Sequence, residues 1–317
     1  MNPSIVTQRD IADALGVSVN TVSHALRGLS DISSETIEKV RKKARELGYV
    51  PNSMAIKLKT GSTKTIALVY DNLVNPYFTI MASKILRLIK EKDYDTVIFP
   101  CGNYFEIQSE TLNELIELHV DGILSFLDIG EAIVDTKAFK AFPTVIVGRK
   151  SDHSITSIYT DDYEGGKLIG QYFKKTGYQK VLYAGPELIN ESSRRYNGIK
   201  EIYGDNIAKY QYRENDDVSK LIDVITQEKI EAVFAFNDVL ATLIRTSLKR
   251  NKLDVEVAGY DYIHGQLPFA NDIDSIQYDF DKLAELSVNS LFEIMENPDI
   301  EIKKIKIPVT LHRKGEK

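Results

Sequence analysis

Val19, Asn20, Ser23, His24 and Arg27 are short or polar side chains spaced along one 13-residue stretch, GVSVNTVSHALRG, from Gly16 to Gly28. Val22, Ala25 and Leu26 recur between them at helical spacing and form one apolar stripe, which leaves the first set on the other faces. Side chains of this kind, on a helix narrow enough to enter a major groove, can read base edges. Gly16 can take the left-handed turn conformation that precedes such a helix. Ser18 is placed to cap it by accepting a first-turn N–H.

A second chemistry is scattered over the rest of the chain. Polar and aromatic residues end short apolar runs: Asn75, Tyr77 and Phe78 in DNLVNPYF, Arg149 after TVIVG, Asp161, Asn237 after VFAF, and Asp261 after VAGY. Any one of these polar groups could serve to cap the next helix. Together they predict a polar pocket at the carboxyl ends of parallel strands, where such folds collect ligands.

The elements that must position the first set are three short helices in residues 1–50. Thr7-Gln-Arg-Asp10 fits a capping box, and Ile11, Ala12 and Leu15 give the first helix its apolar stripe. Ser33 is the N-cap expected for the third helix, Glu35 suits its positive end, and Ile37, Val40, Ala44 and Leu47 form its stripe before Gly48. Residues 51–61 read as a hinge and linker. Pro51 interrupts the chain, Asn52 can cap a short helix over about 53–59, and Gly61-Ser-Thr follows. So short a helix needs a partner to be stable. Leu58, between Lys57 and Lys59, reads on its own as an ordinary domain-packing leucine, and it also suits a wedge between base steps in a minor groove.

Residues 62–317 alternate apolar runs with amphipathic stretches, the pattern of parallel sheets with helices on both faces. Strands are expected at 65–70, 96–99, 122–126, 144–147 and 157–160, then at 181–184, 232–236, 255–260 and 275–277. Helices are expected at 78–91, 107–118, 163–175, 218–227, 239–250 and 282–295. Two such series predict an α/β core of two doubly wound subdomains behind an all-α helix-turn-helix head.

Charge supports this division. The chain has a formal charge of -6 over 317 residues, yet residues 1–61 carry nine Lys/Arg against six Asp/Glu. A head of +3 on a body of -9 is the asymmetry expected if only the head meets phosphates. Cys101 is the single cysteine, which excludes an intrachain disulfide and reads as a small buried apolar residue. MNPSIVTQRD lacks a basic stretch followed by an apolar one, and no apolar run reaches the ~18–20 residues of a membrane span, so a cytoplasmic location is expected. GxxxxGK[ST], GxSxG and HExxH are absent, and Gly61-Ser-Thr-Lys-Thr65 lacks the upstream glycine of a phosphate loop. No catalytic residue, metal or cofactor is expected.

DIADALGVSVNTVSHALRG, ISSETIEKVRKKARELGYVPN and the following SMAIKLKTG resemble the LacI–GalR family of bacterial transcriptional regulators. The resemblance continues through DNLVNPYF, TDDYEGGKLIGQYF, ESSRRYNGIKE, AFNDVLA and VAGYDYI. It implies a core with the periplasmic sugar-binding-protein fold, its first lobe at about 62–160 and 281–317 and its second at about 161–280. It implies that Val19, Asn20, Ser23 and His24 face bases, that Thr7, Ser18 and Thr21 hold phosphates, and that Gln8, Arg27, Asn52, Ala55 and Leu58 complete the DNA-facing set. Leu58 lies seven residues after Pro51, at the spacing of the family's minor-groove leucine, and Ala55 matches its hinge alanine. His24 stands where the family usually has Arg, Arg27 where it often has Asn, and Ile56 where it often has Arg. By motif position Tyr77 and Phe78 border the effector, Arg195 contacts it, and Asn237 and Asp261 hold it from the far lobe, with Asn75, Arg149 and Asp161 beside them.

The function so implied is that of a homodimeric repressor on pseudo-palindromic operator DNA, switched by a small molecule between the lobes. A sugar or sugar phosphate is favoured and a purine is possible. Arg149 and Arg195 would accommodate a phosphate or carboxylate. The alternatives are a regulator or activator controlled by a phosphocarrier-type protein, and an α/β enzyme acting on a sugar or nucleoside.

Overall fold

The computed structural model describes residues 6–50, 62–71, 74–101, 106–213, 216–267 and 273–315, and the chain divides into two compact units, Met1–Thr63 and Lys64–Lys317. The hinge residues Asn52, Ala55 and Leu58 lie outside the described residues.

The first unit holds α1 (Gln8–Leu15), α2 (Val19–Arg27) and α3 (Ser34–Leu47). Each starts where a side-chain acceptor meets an orphan N–H. Thr7 and Asp10 complete a reciprocal capping box, Ser18 accepts from the Thr21 N–H, and Ser33 accepts from the Thr36 N–H. Each ends on a glycine in the left-handed region, Gly16, Gly28 and Gly48, with φ of 66°, 69° and 70°. The stripes meet in a small core of Ile11, Ala12, Val22, Ala25, Val40 and Ala44. Leu47, expected in the stripe, is 38% exposed.

The second unit contains two six-stranded sheets. In chain order its elements begin with β1 (Thr65–Tyr70), α4 (Pro76–Glu91), β2 (Asp95–Pro100), β3 (Glu106–Ile107), α5 (Ser109–Leu118), β4 (Gly122–Ser125) and β5 (Asp128–Ile129). The single-turn helices α6 (Glu131–Val134) and α7 (Lys137–Lys140) lead to β6 (Thr144–Gly148) and β7 (Thr156–Thr160). The next series is α8 (Asp162–Thr176), β8 (Val181–Gly185), α9 (Asn190–Tyr203), β9 (Ile207–Gln211), α10 (Val218–Glu228), β10 (Ala232–Ala235), α11 (Asp238–Arg250) and β11 (Glu256–Tyr260). The short α12 (Ile263–Gln266), β12 (Asp274–Tyr278), α13 (Phe280–Glu296), β13 (Lys304–Ile307) and β14 (Val309–His312) complete the chain.

The first sheet has the order β13-β7-β6-β4-β1-β2, and the second β14-β12-β11-β10-β8-β9. Period-two alternation explains why helices cover both faces. Ile66, Leu68 and Tyr70 pack with Met81 and Ile85 of α4 and Leu283 and Leu291 of α13, while Ala67 and Val69 pack with Leu112 and Leu115 of α5. In the second lobe Tyr183 and Phe234 face α8 and α9, and Leu182, Val233 and Ala235 face α10 and α11.

Some elements differ from the sequence reading. The end of the chain was expected in the first lobe, but β14 joins the second sheet, antiparallel to β12. Pro308 divides KIKIPVTLH, and because it has no N–H to donate to a ladder it sits where the chain leaves one sheet for the other. Helix α9 and strands β9 and β13 escaped the periodicity reading. Their sequences, NESSRRYNGIKEIY, IAKYQ and KIKI, are mostly polar or mix lysine into the run.

Candidate functional site

The exposed face of α2 carries Val19, Asn20 and Arg27, with Ser23 and His24 half-buried beside them. Val19 is 41% exposed, whereas Val22 and Val40 are fully buried. Ser18 Oγ lies 3.0 Å from the Thr21 N–H it accepts and 2.8 Å from Thr21 Oγ1. Gln8 Nε2 donates to Tyr49 Oη at 3.2 Å, and Arg27 Nε donates back to the Ser23 carbonyl at 3.2 Å. Nδ1 of His24 stands 2.5 Å from Oδ2 of Asp31, in the turn before α3.

In the second unit a cavity of about 710 Å³ opens at the carboxyl ends of both sheets. The first lobe contributes Asp71 after β1, Asn75, Tyr77 and Phe78 at the start of α4, Phe126 after β4, and Arg149 after β6. The second contributes Glu191 and Arg195 of α9, Tyr212 and Arg213 after β9, Phe236 and Asn237 after β10, Asp261 after β11, and Tyr278 at the end of β12.

Local structure explains each placement. Asn75 caps α4 by accepting the Tyr77 N–H at 3.0 Å, which turns Tyr77 and Phe78 into the first turn. Tyr77 meets Phe78, Phe126 and Phe280 edge-on at 5.1, 5.9 and 6.1 Å between ring centres. Gly148, with φ of 79°, has no side chain to collide with the Tyr77 hydroxyl and releases the chain toward Arg149. Asn237 caps α11 through the Leu240 N–H at 2.9 Å and still lines the cavity.

Asp261 sits in a strained turn. Its φ is 101° and that of Tyr262 is 50°, both in the left-handed region that side-chain-bearing residues avoid. Asp238, buried at the start of α11, holds the turn. Its carboxylate accepts the Ile263 N–H at 2.8 Å and the Ser275 hydroxyl at 2.7 Å, and Ser275 Oγ in turn accepts the Tyr262 N–H at 3.0 Å. Asp261 is thereby directed into the cavity, where it accepts from Tyr278 Oη at 3.3 Å.

Arg195 is the centre of the charge network. Its Nε donates to Asp162 at 2.8 Å and an Nη to the Phe236 carbonyl at 2.6 Å, and its guanidinium lies 3.6 Å from the ring centre of Tyr260 and 4.5 Å from that of Phe236. Burial alone would weaken its hold on a proton, but Asp162, Tyr260 and Asp261 reverse this and keep it above the ordinary arginine value. Burial pushes Asp162 up to about 6 against the pull of Arg195. Burial likewise pushes Asp261 up to about 7, and burial with Asp261 nearby pushes Asp238 up to about 8. Arg149 Nε stands 3.2 Å from Glu191 Oε1, a charge contact that spans the two lobes.

Seven of the eight pocket residues expected from sequence, Asn75, Tyr77, Phe78, Arg149, Arg195, Asn237 and Asp261, line this cavity. Asp161 does not. It caps α8 through the Glu164 N–H at 3.3 Å and pairs with Lys306 at 2.6 Å, while its neighbour Asp162 points to Arg195. Arg149 and Arg195, the residues expected to accommodate an anion, each face a carboxylate, Glu191 and Asp162. Glu191, Phe236 and Tyr278 were missed. Phe236 and Tyr278 follow the same strand-end rule as their neighbours and could have been found by it. Among the described residues no cluster of His, Cys, Asp and Glu is arranged to hold a metal ion, and no helix is long and apolar enough to cross a membrane. Cys101 is partly buried, with Sγ 3.7 Å from Thr111 Oγ1.

Comparison with known proteins places both units. Residues 7–52 match the bacterial regulatory proteins of the lacI family, and residues 63–271 match the periplasmic binding proteins and sugar binding domain of the LacI family. The HTH-type transcriptional repressor PurR of Mannheimia succiniciproducens is 27% identical, over 99% of each chain. The ribose operon repressor of Lactococcus lactis is 26% identical, over 96% of each. Among solved structures, the lac repressor dimer bound to operator and the anti-inducer ONPF superposes with a TM-score of 0.82 at 22% identity, covering 98% of each chain. A LacI family regulator from Enterococcus faecium with bound ribose gives 0.69 at 21% identity, covering 79% of this chain and 97% of that one. At these identities the structural likeness speaks for the fold.

Proposed function

Because this chain belongs to the LacI family of bacterial regulatory proteins, we propose that it is a cytoplasmic, homodimeric, sequence-specific repressor whose operator affinity is set by an uncharged, hydroxyl-rich small molecule held between the lobes of its core. The carrying observation is the cavity, where polar groups from the strand ends of both sheets converge on one space. Its lining holds four carboxylates, Asp71, Glu187, Glu191 and Asp261, against three guanidinium groups. Arg195 and Arg149 already face Asp162 and Glu191. A phosphate would enter a site with no surplus of positive charge, whereas sugar hydroxyls can use the carboxylates and Asn237 as acceptors and the aromatic rings as an apolar floor. The relatives named as ribose and sucrose operon repressors support the sugar reading.

The mechanism follows from the division of labour. Residues 1–50 are the DNA-binding head, 51–61 the hinge and 62–317 the effector and dimerisation core. Val19, Asn20, Ser23 and His24 meet bases; Thr7, Gln8, Ser18, Thr21 and Arg27, with the helix-start N–H groups, meet the phosphate backbone. Asn52, Ala55 and Leu58 belong to the hinge, with Leu58 as the minor-groove wedge. Two heads on a two-fold axis read two half-sites, and their affinities multiply. A ligand touching both lobes changes their relative angle and so biases the pair of hinges. Selection of binding sites from a random duplex library tests the reading. It predicts a pseudo-palindromic consensus whose affinity falls when Leu58 is replaced by alanine. Recovery of unselected sequence would overturn it.

A further inference from the structure

His24 lies half-buried in the last turn of α2, and one nitrogen of its ring is engaged. Nδ1 is 2.5 Å from Oδ2 of Asp31, a residue of the α2–α3 connection. Asp31 is itself held at both flanks. Ile32 packs against the head core and donates its N–H to the Leu29 carbonyl at 3.3 Å, and Ser33 is fixed as the N-cap of α3. A carboxylate only accepts hydrogen bonds, so this contact requires the proton on Nδ1 and leaves Nε2 as the ring nitrogen available to a base edge.

We propose that Asp31 is a positioning residue for base recognition: it locks the His24 ring so that Nε2 meets one base edge in each half-site. The inference rests on the reading of α2 as the groove-entering helix. A neutral ring would accept from an exocyclic amine at Nε2, and a charged ring would donate to guanine; Asp31 accepts from Nδ1 in both. An acidic side chain on a surface that approaches phosphates weakens sequence-independent binding. Its presence beside the reader is therefore accounted for by selectivity, not by affinity.

The test uses the full-length protein with Asp31→Ala, His24→Ala and the double variant. Each is measured on the selected operator, on operators with each base pair substituted singly, and on unrelated duplex. Asp31→Ala should lose about tenfold discrimination at the base pair where His24→Ala also loses it, while binding to unrelated duplex stays level or tightens. The double variant should discriminate no worse than His24→Ala alone. Undiminished base preference in Asp31→Ala would overturn the proposal. So would a uniform loss on every duplex accompanied by a lower melting temperature, which would mark Asp31 as structural. A wild-type protein that prefers no sequence would overturn the DNA reading itself, and this inference with it.

Discussion

Asp162 and Arg195 meet at 2.8 Å because two glycines let their helices touch. A Cβ at Gly166 of α8 would strike the Arg195 carbonyl, and one at Gly198 of α9 would strike the Tyr163 carbonyl. The obstructing atoms are backbone, so neither can swing aside. The ion pair at the base of the cavity is therefore a consequence of helix packing as much as of charge.

Gly198→Ala should force α8 and α9 apart. Overpacking of this kind costs about 1–3 kcal/mol, and here it also separates a buried acid from its base. Urea unfolding of the core should show a lower midpoint, with loss of ligand protection. An unchanged midpoint would contradict the close approach.

Asp238→Ala removes the acceptor for the Ile263 N–H and the Ser275 hydroxyl. Each orphaned buried donor costs about 1–3 kcal/mol, and the strained turn that presents Asp261 loses its clamp. Calorimetric titration should show weakened ligand binding although Asp238 is not among the lining residues of the cavity. Binding at full strength would show that the turn holds itself.

The raised carboxyls predict a pH dependence. Asp261 and Asp238 reach about 7 and about 8 through burial, well above the roughly 3.9 of an unfolded aspartate. The native state thus holds their protons more tightly than the unfolded chain. The stability this contributes is complete below about pH 4 and is lost as pH rises through 7 to 8. Thermal melting should therefore fall between pH 5 and pH 8.5, and Asp261→Asn should flatten the fall. Each group contributes at most about 1.4 kcal/mol per pH unit. An identical slope in wild type and variant would contradict the burial of Asp261.

Glu191→Ala removes the carboxylate that faces Arg149 across the cleft. The charge balance of the cavity then shifts by one toward positive. Protection by inorganic phosphate in a thermal-shift titration should appear in this variant at concentrations that leave the wild type unaffected. Equal protection of both would contradict the account of why the site rejects anions.

Much of this molecule is legible in its residues. Thr7, Ser18 and Ser33 announce the three head helices because capping is local chemistry, and the head unit follows from them. The buried parallel strands are legible as apolar runs. What escapes is set at long range. Whether Asp161 or Asp162 enters the network depends on the rotation of α8 against α9, and neighbouring aspartates look alike in a sequence. The neutralisation of Arg195 depends on a partner 33 residues away. The return of residues 309–312 to the second sheet hangs on one proline inside a run that otherwise reads as a single strand.

The most direct test of the central claim measures operator affinity in the presence of uncharged sugars and of the same sugars as phosphates. The account predicts that at least one uncharged sugar changes the dissociation constant by about tenfold or more, a coupling of roughly 1.4 kcal/mol, and that its phosphate does not. A response confined to phosphorylated compounds, or none to any sugar, would contradict it.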